Sequence, residues 1–212
     1  MHTLNRNVLF FALCLSALAG YVDAIGFLEL GGYFVSFMSG NSTRLAVNFV
    51  TGSRQSIFLP VMIIGSFVTG AGLGAVAHHL AKPAIQVRAV LLLVTLLLAL
   101  AAACHGLDLA LPAMLLMTLA MGAENSTLRG DGNTMLGVTY MTGSLAKLGQ
   151  RLALTFMGRH APWRPYLFLW SGLIAGGAAG AALFHFFGLH SLWLAALWAA
   201  GLTMAARLVS AE

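Results

Sequence analysis

Six stretches of mostly apolar residues divide this chain, and each has the length of about 20 residues that a helix needs to cross a lipid bilayer. They cover residues 7–30, 57–80, 87–106, 109–129, 165–187 and 190–208. Only 8% of the 212 residues are Asp, Glu, Lys or Arg, whereas soluble domains carry roughly a quarter. So few charges cannot cover a soluble surface. The sequence therefore predicts an all-α polytopic protein whose main partner is the lipid bilayer.

Charge and cysteine placement exclude other classes of protein. The formal net charge is +5, but the basic residues stand singly at the ends of apolar stretches, which is typical of membrane orientation signals and not of nucleic-acid binding. Cys14 and Cys104 are isolated, without the spacing of a zinc or redox site. His78, His79 and His185 have no carboxylate or thiolate at helical spacing. We therefore expect no nucleic-acid partner, no metal and no cofactor.

Two further stretches, residues 33–50 and 134–157, are long enough to form helices but carry polar side chains at their centres. The first contains FMSGNSTRLA, residues 37–46, and the second contains YMTGSLAKLG, residues 140–149. An interrupted backbone at membrane depth is tolerated only where it is buried in protein or lines an aqueous cavity. The sequence therefore predicts two broken or re-entrant segments in addition to about six transmembrane helices.

The two polar segments belong to an internal repeat. Residues 37–41 align with residues 140–144 at an offset of 103. Upstream of them, Asp23 falls opposite Glu124. Two ladders of small residues match downstream at an offset of 106, namely Ser66, Gly70 and Gly74 with Gly172, Gly176 and Gly180. Several matches in the same order indicate that the chain consists of two related halves.

The halves are membrane repeats at residues 1–106 and 107–212, within one integrated membrane domain. Cytoplasmic loops are enriched in Lys and Arg, so loop charges indicate how the chain crosses the bilayer. If each polar segment enters and leaves on one side, seven basic residues share a face: Arg6, Lys82, Arg88, Arg129, Arg159, Arg164 and Arg207. Both termini are then cytoplasmic. Because three spans per half is an odd number, the sequence predicts inverted repeats.

Gly40 is predicted to interrupt the first polar segment, and Asn41 or Ser42 to cap the helix that restarts there. The free N–H groups of such a half-helix attract polar or anionic ligands. Two facing breaks would enclose a small polar or anionic solute. The predicted substrate-binding residues are Ser39, Gly40, Asn41, Ser42, Thr43, Arg44, Thr142, Gly143, Ser144 and Lys147, with Thr139 as a further hydroxyl. The alternative is that these side chains only hydrogen-bond to neighbouring helices.

Asp23 and Glu124 are further candidates, because carboxylates within a membrane are costly and usually face a functional interior or a partner. The neighbouring Asn125 is grouped with them as a coupling or ion-pair candidate. One interpretation makes Asp23 and Glu124 proton-coupling groups. The other makes them structural counter-ions, with Asp23 paired to Arg44 and Glu124 to Lys147. The sequence leaves both interpretations open.

The small-residue ladders are predicted to be close-packing faces, either between the two repeats or between protomers of a homo-oligomer. The sequence lacks the fingerprints of hydrolases, metalloproteases and nucleotide-binding enzymes, so we expect no enzyme activity; Asp131 is expected to shape a turn. The pattern favours a small transporter or channel for an unidentified small polar or anionic solute. A non-transporting accessory subunit and an intramembrane enzyme are the alternatives.

A resemblance to a known family rests on paired motifs along the whole chain. These are Gly20-x-x-Asp23-Ala24, Phe34, Met38-Ser39-Gly40-Asn41, Gly122-x-x-Asn125 and Thr139-Tyr140-Met141-Thr142-Gly143. They resemble the YoaK-like bacterial membrane proteins, domain-of-unknown-function family 1275. The resemblance implies a small inner-membrane protein with about six spans and no agreed activity. The chain departs from the family pattern at Glu124, where Gln is common, and at Ser144, where Asn is frequent.

Overall fold

A computed structural model describes residues 6–52, 54–128 and 141–208 of the chain. Within these ranges the protein is all-helical, with eight α-helices and no strand. The helices are α1 (Arg6–Glu29), α2 (Met38–Thr51), α3 (Arg54–Leu80), α4 (Gln86–Gly106), α5 (Ala110–Glu124), α6 (Met141–Phe156), α7 (Arg164–Phe187) and α8 (Leu192–Ala205). Short 3-10 turns at Pro83–Ile85, Gly188–Ser191 and Ala206–Leu208 adjoin α4 and α8.

Four helical stretches in the described ranges are long and apolar enough to cross a membrane. They are Arg6–Glu29, Ile57–Leu80, Pro83–Gly106 and Arg164–Ala205, the last of which comprises α7, the turn after it and α8. Helix α5 is apolar but has only 15 residues. These lengths and compositions make the chain a multi-pass membrane protein that contacts the lipid bilayer.

Helix α2 and the described part of α6 are shorter than the hydrocarbon core of a bilayer. They contain 14 and 16 residues, or about 21 and 24 Å at the α-helical rise, against a hydrocarbon core of about 30 Å. The predicted break at Gly40 is wrong, because α2 is helical from Met38 onwards and Gly40 lies in its first turn. The non-helical segment precedes it, at residues 30–37. Gly143 is likewise helical, within the first turn of α6.

The glycine ladders pack helices within the chain, as one of the two predictions for them stated. Helix α7 lies against α1, and helix α3 lies against α5. A Cβ atom at any of six glycines would collide with the opposing helix, at Gly172 with Leu13, Gly176 with Ala17, Gly180 with Tyr21, Gly70 with Leu119, Gly74 with Ala123 and Gly122 with Phe67. In each helix pair, residues later in one helix contact residues later in the other. Helices α1 and α7 are therefore parallel, and so are helices α3 and α5.

Helices α4 and α8 pack against each other in opposite directions. The rings of His105, at the end of α4, and His190, before the start of α8, lie 4.9 Å apart. Further along, the hydroxyl groups of Thr95 and Thr203 lie 3.4 Å apart. Most of the buried core comes from α1, α4, α5 and α8. These four helices form the centre of the molecule, with α7 beside α1 and α3 beside α5.

Short connections fix the remaining directions. Residues 81–85 join α3 to α4, residues 107–109 join α4 to α5, and both helix pairs pack side by side. The short turn at residues 188–191 places the end of α7 next to the start of α8. One end of the molecule therefore gathers the C-terminal ends of α1, α4 and α7 with the N-terminal ends of α3, α5 and α8. Helices α1 and α5, α3 and α7, and α4 and α8 run in opposite directions.

Candidate functional site

Asp23 holds the backbone that leads into α2. Its Oδ1 atom accepts hydrogen bonds of 2.8 Å from the backbone N–H groups of both Val35 and Ser36. These amides directly precede the helix, where donors lack intrahelical partners and a negative charge is favourable. Asp23 therefore neutralises part of the positive end of α2 by binding loop amides that lie just before its first turn.

Asn41 fixes the same segment from the other side. Its side chain is completely buried, accepts a 3.1 Å hydrogen bond from the N–H of Phe34 and donates a 2.6 Å hydrogen bond to the carbonyl of Phe34. Both ends of the amide are thus used on one loop residue. Asn41 lies inside α2 and does not cap it, and its amide is bound to the loop. Its described contacts therefore support the alternative that these polar side chains hydrogen-bond within the protein.

The other predicted residues of α2 form an exposed polar face. Ser39, Ser42 and Thr43 are exposed. The hydroxyl of Ser42 donates to the carbonyl of Met38 at 2.8 Å, and that of Thr43 donates to the carbonyl of Ser39 at 3.1 Å. Each hydroxyl oxygen keeps acceptor capacity. This face, and not Asn41, is the part of the motif that a polar ligand can reach.

Arg44 does not pair with Asp23. Its guanidinium lies 4.8 Å from the centre of the Tyr33 ring, in the range of a cation–π contact. A Cβ at Gly32 would lie 2.7 Å from the Arg44 side chain, and Gly32 also has a φ of +98°, which glycine adopts without strain. The counter-ion prediction for Asp23 is therefore wrong, and Arg44 instead covers the loop before α2.

The predicted residues of α6 divide in a similar way. Thr142 and Lys147 are exposed, Gly143 is half-buried and Ser144 is buried. The Nζ atom of Lys147 lies 6.0 Å from the centre of the Tyr166 ring on α7. Lys147 is therefore directed towards an aromatic ring and not towards Glu124. Thr139, Tyr140 and Asp131, which the sequence analysis also singled out, lie outside the described residues.

The two polar helices occupy different places in the fold. Helix α2 packs on α3, whereas α6 packs on α7. The predicted site between the two polar segments stays a prediction, since residues 129–140, which lead into α6, lie outside the described residues.

Glu124 has a different environment from Asp23. Its side chain is 0% exposed, and neither carboxylate oxygen has a hydrogen-bond partner among the described residues. The counter-ion prediction that paired Glu124 with Lys147 is therefore wrong within this part of the chain. The neighbouring Asn125 is half-buried, and its Nδ2 atom donates to the carbonyl of Met121 at 2.9 Å.

The helix contacts of Gly20 and Gly122 show which residues of the two halves correspond to each other near Asp23 and Glu124. A Cβ at Gly20 would meet the backbone of Leu173 and Gly177, and one at Gly122 would meet the backbone of Phe67 and Ala71. Gly20 and Gly122 are offset by 102 residues, and both of their contact partners are offset by 106.

This register differs by one residue from the sequence alignment around Asp23. With an offset of 102, Asp23 corresponds to Asn125, and Glu124 corresponds to Val22. The two carboxylates therefore do not occupy matching positions.

An open cavity of about 550 Å³ lies between α1 and α7. Small residues shape its walls, including Gly20, Ala24, Gly177 and Ala178, and Phe34 contributes from the loop before α2. Asp23 is the charged residue of this otherwise apolar lining. The sequence analysis missed the cavity, because the closeness of α1 and α7 follows from tertiary packing. No cluster of three or more His, Cys, Asp or Glu side chains suited to a metal ion occurs within the described ranges.

Comparisons with known proteins agree with this architecture. The DUF1275 family, described as a protein of unknown function, matches residues 11–205. A UPF0700 transmembrane protein of Rhizobium meliloti, RA0705, is 37% identical over 195 residues, covering 91% of this chain and 83% of that protein. The UPF0700 transmembrane protein YoaK of Bacillus subtilis is 28% identical over 151 residues, covering 68% of this chain and 65% of that protein. No solved structure matches. The chain belongs to the DUF1275 family of transmembrane proteins.

Proposed function

We propose that this protein is a bacterial inner-membrane transporter for a small polar solute, built from two inverted repeats. The observation that carries the proposal is the opposite direction of corresponding helices: α1 and α5, α3 and α7, and α4 and α8. Inverted repeats that each contain an interrupted or short polar helix are a recurring architecture of secondary transporters. Helices α2 and α6 are the short polar members of the two repeats.

In this proposal six helices cross the membrane, and α2 and α6 enter and leave on the same side. The long stretch Arg164–Ala205 supplies two crossings, through α7 and α8. The turn at residues 125–128 lengthens α5, and the 3-10 turns on both sides lengthen α8. Six described basic residues stand at the end where α1 begins, namely Arg6, Lys82, Arg88, Arg159, Arg164 and Arg207. The positive-inside rule therefore makes this end, and both termini, cytoplasmic.

The geometry narrows the class of solute. Asp23 is the charged group in the lining of the α1–α7 cavity, and the remaining walls are apolar. The amides before α2 that would attract an anion already bind Asp23. A solute with a hydrogen-bond donor or a cationic group, on a small apolar body, fits this lining better than an anion does. We therefore propose a neutral or cationic polar solute and not an anion.

An accessory-subunit role is the second candidate, and the hydrogen bonds of Asp23 and Asn41 favour it, because they resemble purely structural contacts. A structural subunit, however, gives no reason for a carboxylate such as Glu124 to be buried without a described partner. The described ranges hold no metal cluster beside this residue, so Glu124 by itself does not favour an enzyme. Transport remains the stronger proposal.

The cavity offers a direct test with a matched control. Ala178 lines the cavity, whereas the adjacent Ala179 is exposed on the same helix and is not part of the lining. Proteoliposomes are offered mixed small amines, alcohols and carboxylates, and their contents are analysed by mass spectrometry. Ala178→Trp is expected to abolish accumulation of an amine or alcohol, and Ala179→Trp to leave it unchanged.

Two outcomes of this screen would overturn the proposal. Absence of uptake by folded wild-type protein across the whole panel would remove transport as the function. Equal uptake by both tryptophan variants would remove the α1–α7 cavity as the solute site. Size-exclusion profiles of the purified variants establish that each compared protein is folded.

A further inference from the structure

We propose that Glu124 is a proton-binding site inside the membrane domain and that Asp23 is not. Proton binding at Glu124 stands on its own geometry. Its use as the coupling step of uptake rests on the transport function proposed above.

The first step is the burial of Glu124. Its side chain has no exposed surface, and both of its oxygens lack hydrogen-bond partners among the described residues. An ionised carboxylate in such surroundings is very costly, whereas the neutral acid is far less so. Close packing explains the burial, since the preceding Gly122 and Ala123 lie directly against the α3 backbone at Phe67 and Gly74. The site therefore favours a bound proton.

The charged side chains nearest in the fold do not form an ion pair with Glu124 that would stabilise its ionised form. Helix α5 packs against α3, α4 and, less extensively, α1. At the end where Glu124 lies, their ionisable side chains are His78 and His79 on α3, Arg88 on α4 and Arg6 on α1. Neither Glu124 oxygen bonds to any of these four. The carboxylate is thus buried next to cationic elements without a direct ion pair.

A metal cation fits the site less well than a proton does. Sodium, calcium and magnesium ions in proteins require several oxygen ligands around one centre. Within the described ranges no group of three or more acidic, histidine or cysteine side chains is suitably placed. A proton needs only the one carboxylate oxygen. We therefore assign the site to a proton.

The two halves differ at this point among the described residues. Val22 is the counterpart of Glu124 in the packing register, and Val22 is an apolar residue of the buried core. Asp23, the carboxylate next to Val22 in the first half, uses its Oδ1 atom to accept hydrogen bonds from the amides of Val35 and Ser36. These hydrogen bonds stabilise its ionised form. Of the two carboxylates, Glu124 is therefore the one whose described surroundings offer no hydrogen bond to the ionised form.

Dicyclohexylcarbodiimide tests proton binding without any solute. This apolar reagent adds to protonated carboxyl groups in apolar surroundings, and acyl migration to nitrogen leaves a stable N-acylurea that mass spectrometry locates. In the full-length protein in detergent, the peptide containing Glu124 is expected to be labelled at neutral pH, with labelling decreasing as pH rises. Glu124→Gln is expected to lose the label, and Asp23 to remain unlabelled in both proteins.

Two results would overturn the inference: labelling of Asp23 in preference to Glu124, or a Glu124 peptide that stays unlabelled at every pH. A parallel uptake assay with an imposed pH gradient separates this inference from the transport proposal. Labelled Glu124 without any uptake removes transport and keeps the proton site. Uptake that ignores the pH gradient, with Glu124 unlabelled, removes the proton site and keeps transport.

Discussion

Two carboxylates near the ends of two related helices have acquired opposite environments. Asp23 accepts hydrogen bonds from two backbone amides before α2 and lies at the edge of the α1–α7 cavity. Glu124 is sealed inside the molecule without a described hydrogen-bond partner. Sequence alone identified both as unusual, because intramembrane carboxylates are rare. It could not separate their roles, since each role depends on contacts made after folding.

The capping role of Asp23 predicts a specific stability pattern. Asp23→Ala leaves two amides without their acceptor, which is expected to lower the free energy of unfolding by about 1–3 kcal/mol. Asp23→Asn keeps an acceptor oxygen, and asparagine stands at the corresponding position 125 of the second half, so this variant is expected to lose less. The midpoint of denaturant unfolding in detergent measures the difference.

The exposed Glu29, at the end of the same helix, provides the control. Glu29→Ala is expected to leave the unfolding midpoint unchanged. If Asp23→Ala were as stable as Glu29→Ala, Asp23 would not hold the start of α2.

At the scale of helices, the sequence located α2 and α6 but misplaced the point of interruption. Local capping rules put the helix start at Asn41 or Ser42, three or four residues after the observed start at Met38. The actual acceptor, Asp23, comes from another helix, and local rules do not detect such a partner. The sequence predicted that Gly40 interrupts a helix, whereas its described role is close packing. A Cβ at Gly40 would lie 2.5 Å from the Phe37 ring. The glycine ladders were predicted correctly, because a four-residue spacing directly encodes a helix face.

Helix α3 contains a matched pair of glycines that tests the packing account. A Cβ at Gly70 would collide with the backbone of Leu119 on α5, whereas a Cβ at Gly72 would meet nothing within 4 Å. Gly70→Ala is expected to destabilise the protein by about 1–3 kcal/mol through overpacking. Gly72→Ala is expected to be neutral or to stabilise it by up to about 1 kcal/mol, because alanine favours helix.

Thermal unfolding of the two alanine variants in the same detergent measures this difference. Because both substitutions add the same methyl group to the same helix, general effects on expression or helix propensity cancel. Equal melting temperatures would show that the α3–α5 contact does not depend on the absence of a side chain at Gly70.

At the scale of the whole molecule, the account depends on how the two halves are oriented. The sequence predicted the repeat from offsets of 103 and 106, and the glycine contacts give an offset of 102 near Asp23. Sequence matching could not fix this register, because Gly20 and Gly122 are identified as equivalent only by the backbones they contact. The sequence also could not predict that α2 packs on α3 and α6 packs on α7, because these contacts depend on tertiary packing.

The most direct test of inverted repeats asks whether α2 crosses the membrane. In a background with Cys14 and Cys104 replaced by alanine, single cysteines are placed at the exposed positions Glu29 and Gly52, which flank the loop and helix α2. A membrane-impermeant maleimide is then applied to intact cells. Both cysteines are expected to react from outside, because α2 enters and leaves on the same side.

Cysteines at Lys82 and Arg159, exposed positions at the opposite end of the molecule, complete the measurement. The account predicts that these two react only after the cells are permeabilised, in contrast to Glu29→Cys and Gly52→Cys. Labelling of Glu29→Cys and Gly52→Cys on opposite sides of the membrane would mean that α2 spans it. The two halves would then not be inverted, and the proposed transporter architecture would be contradicted.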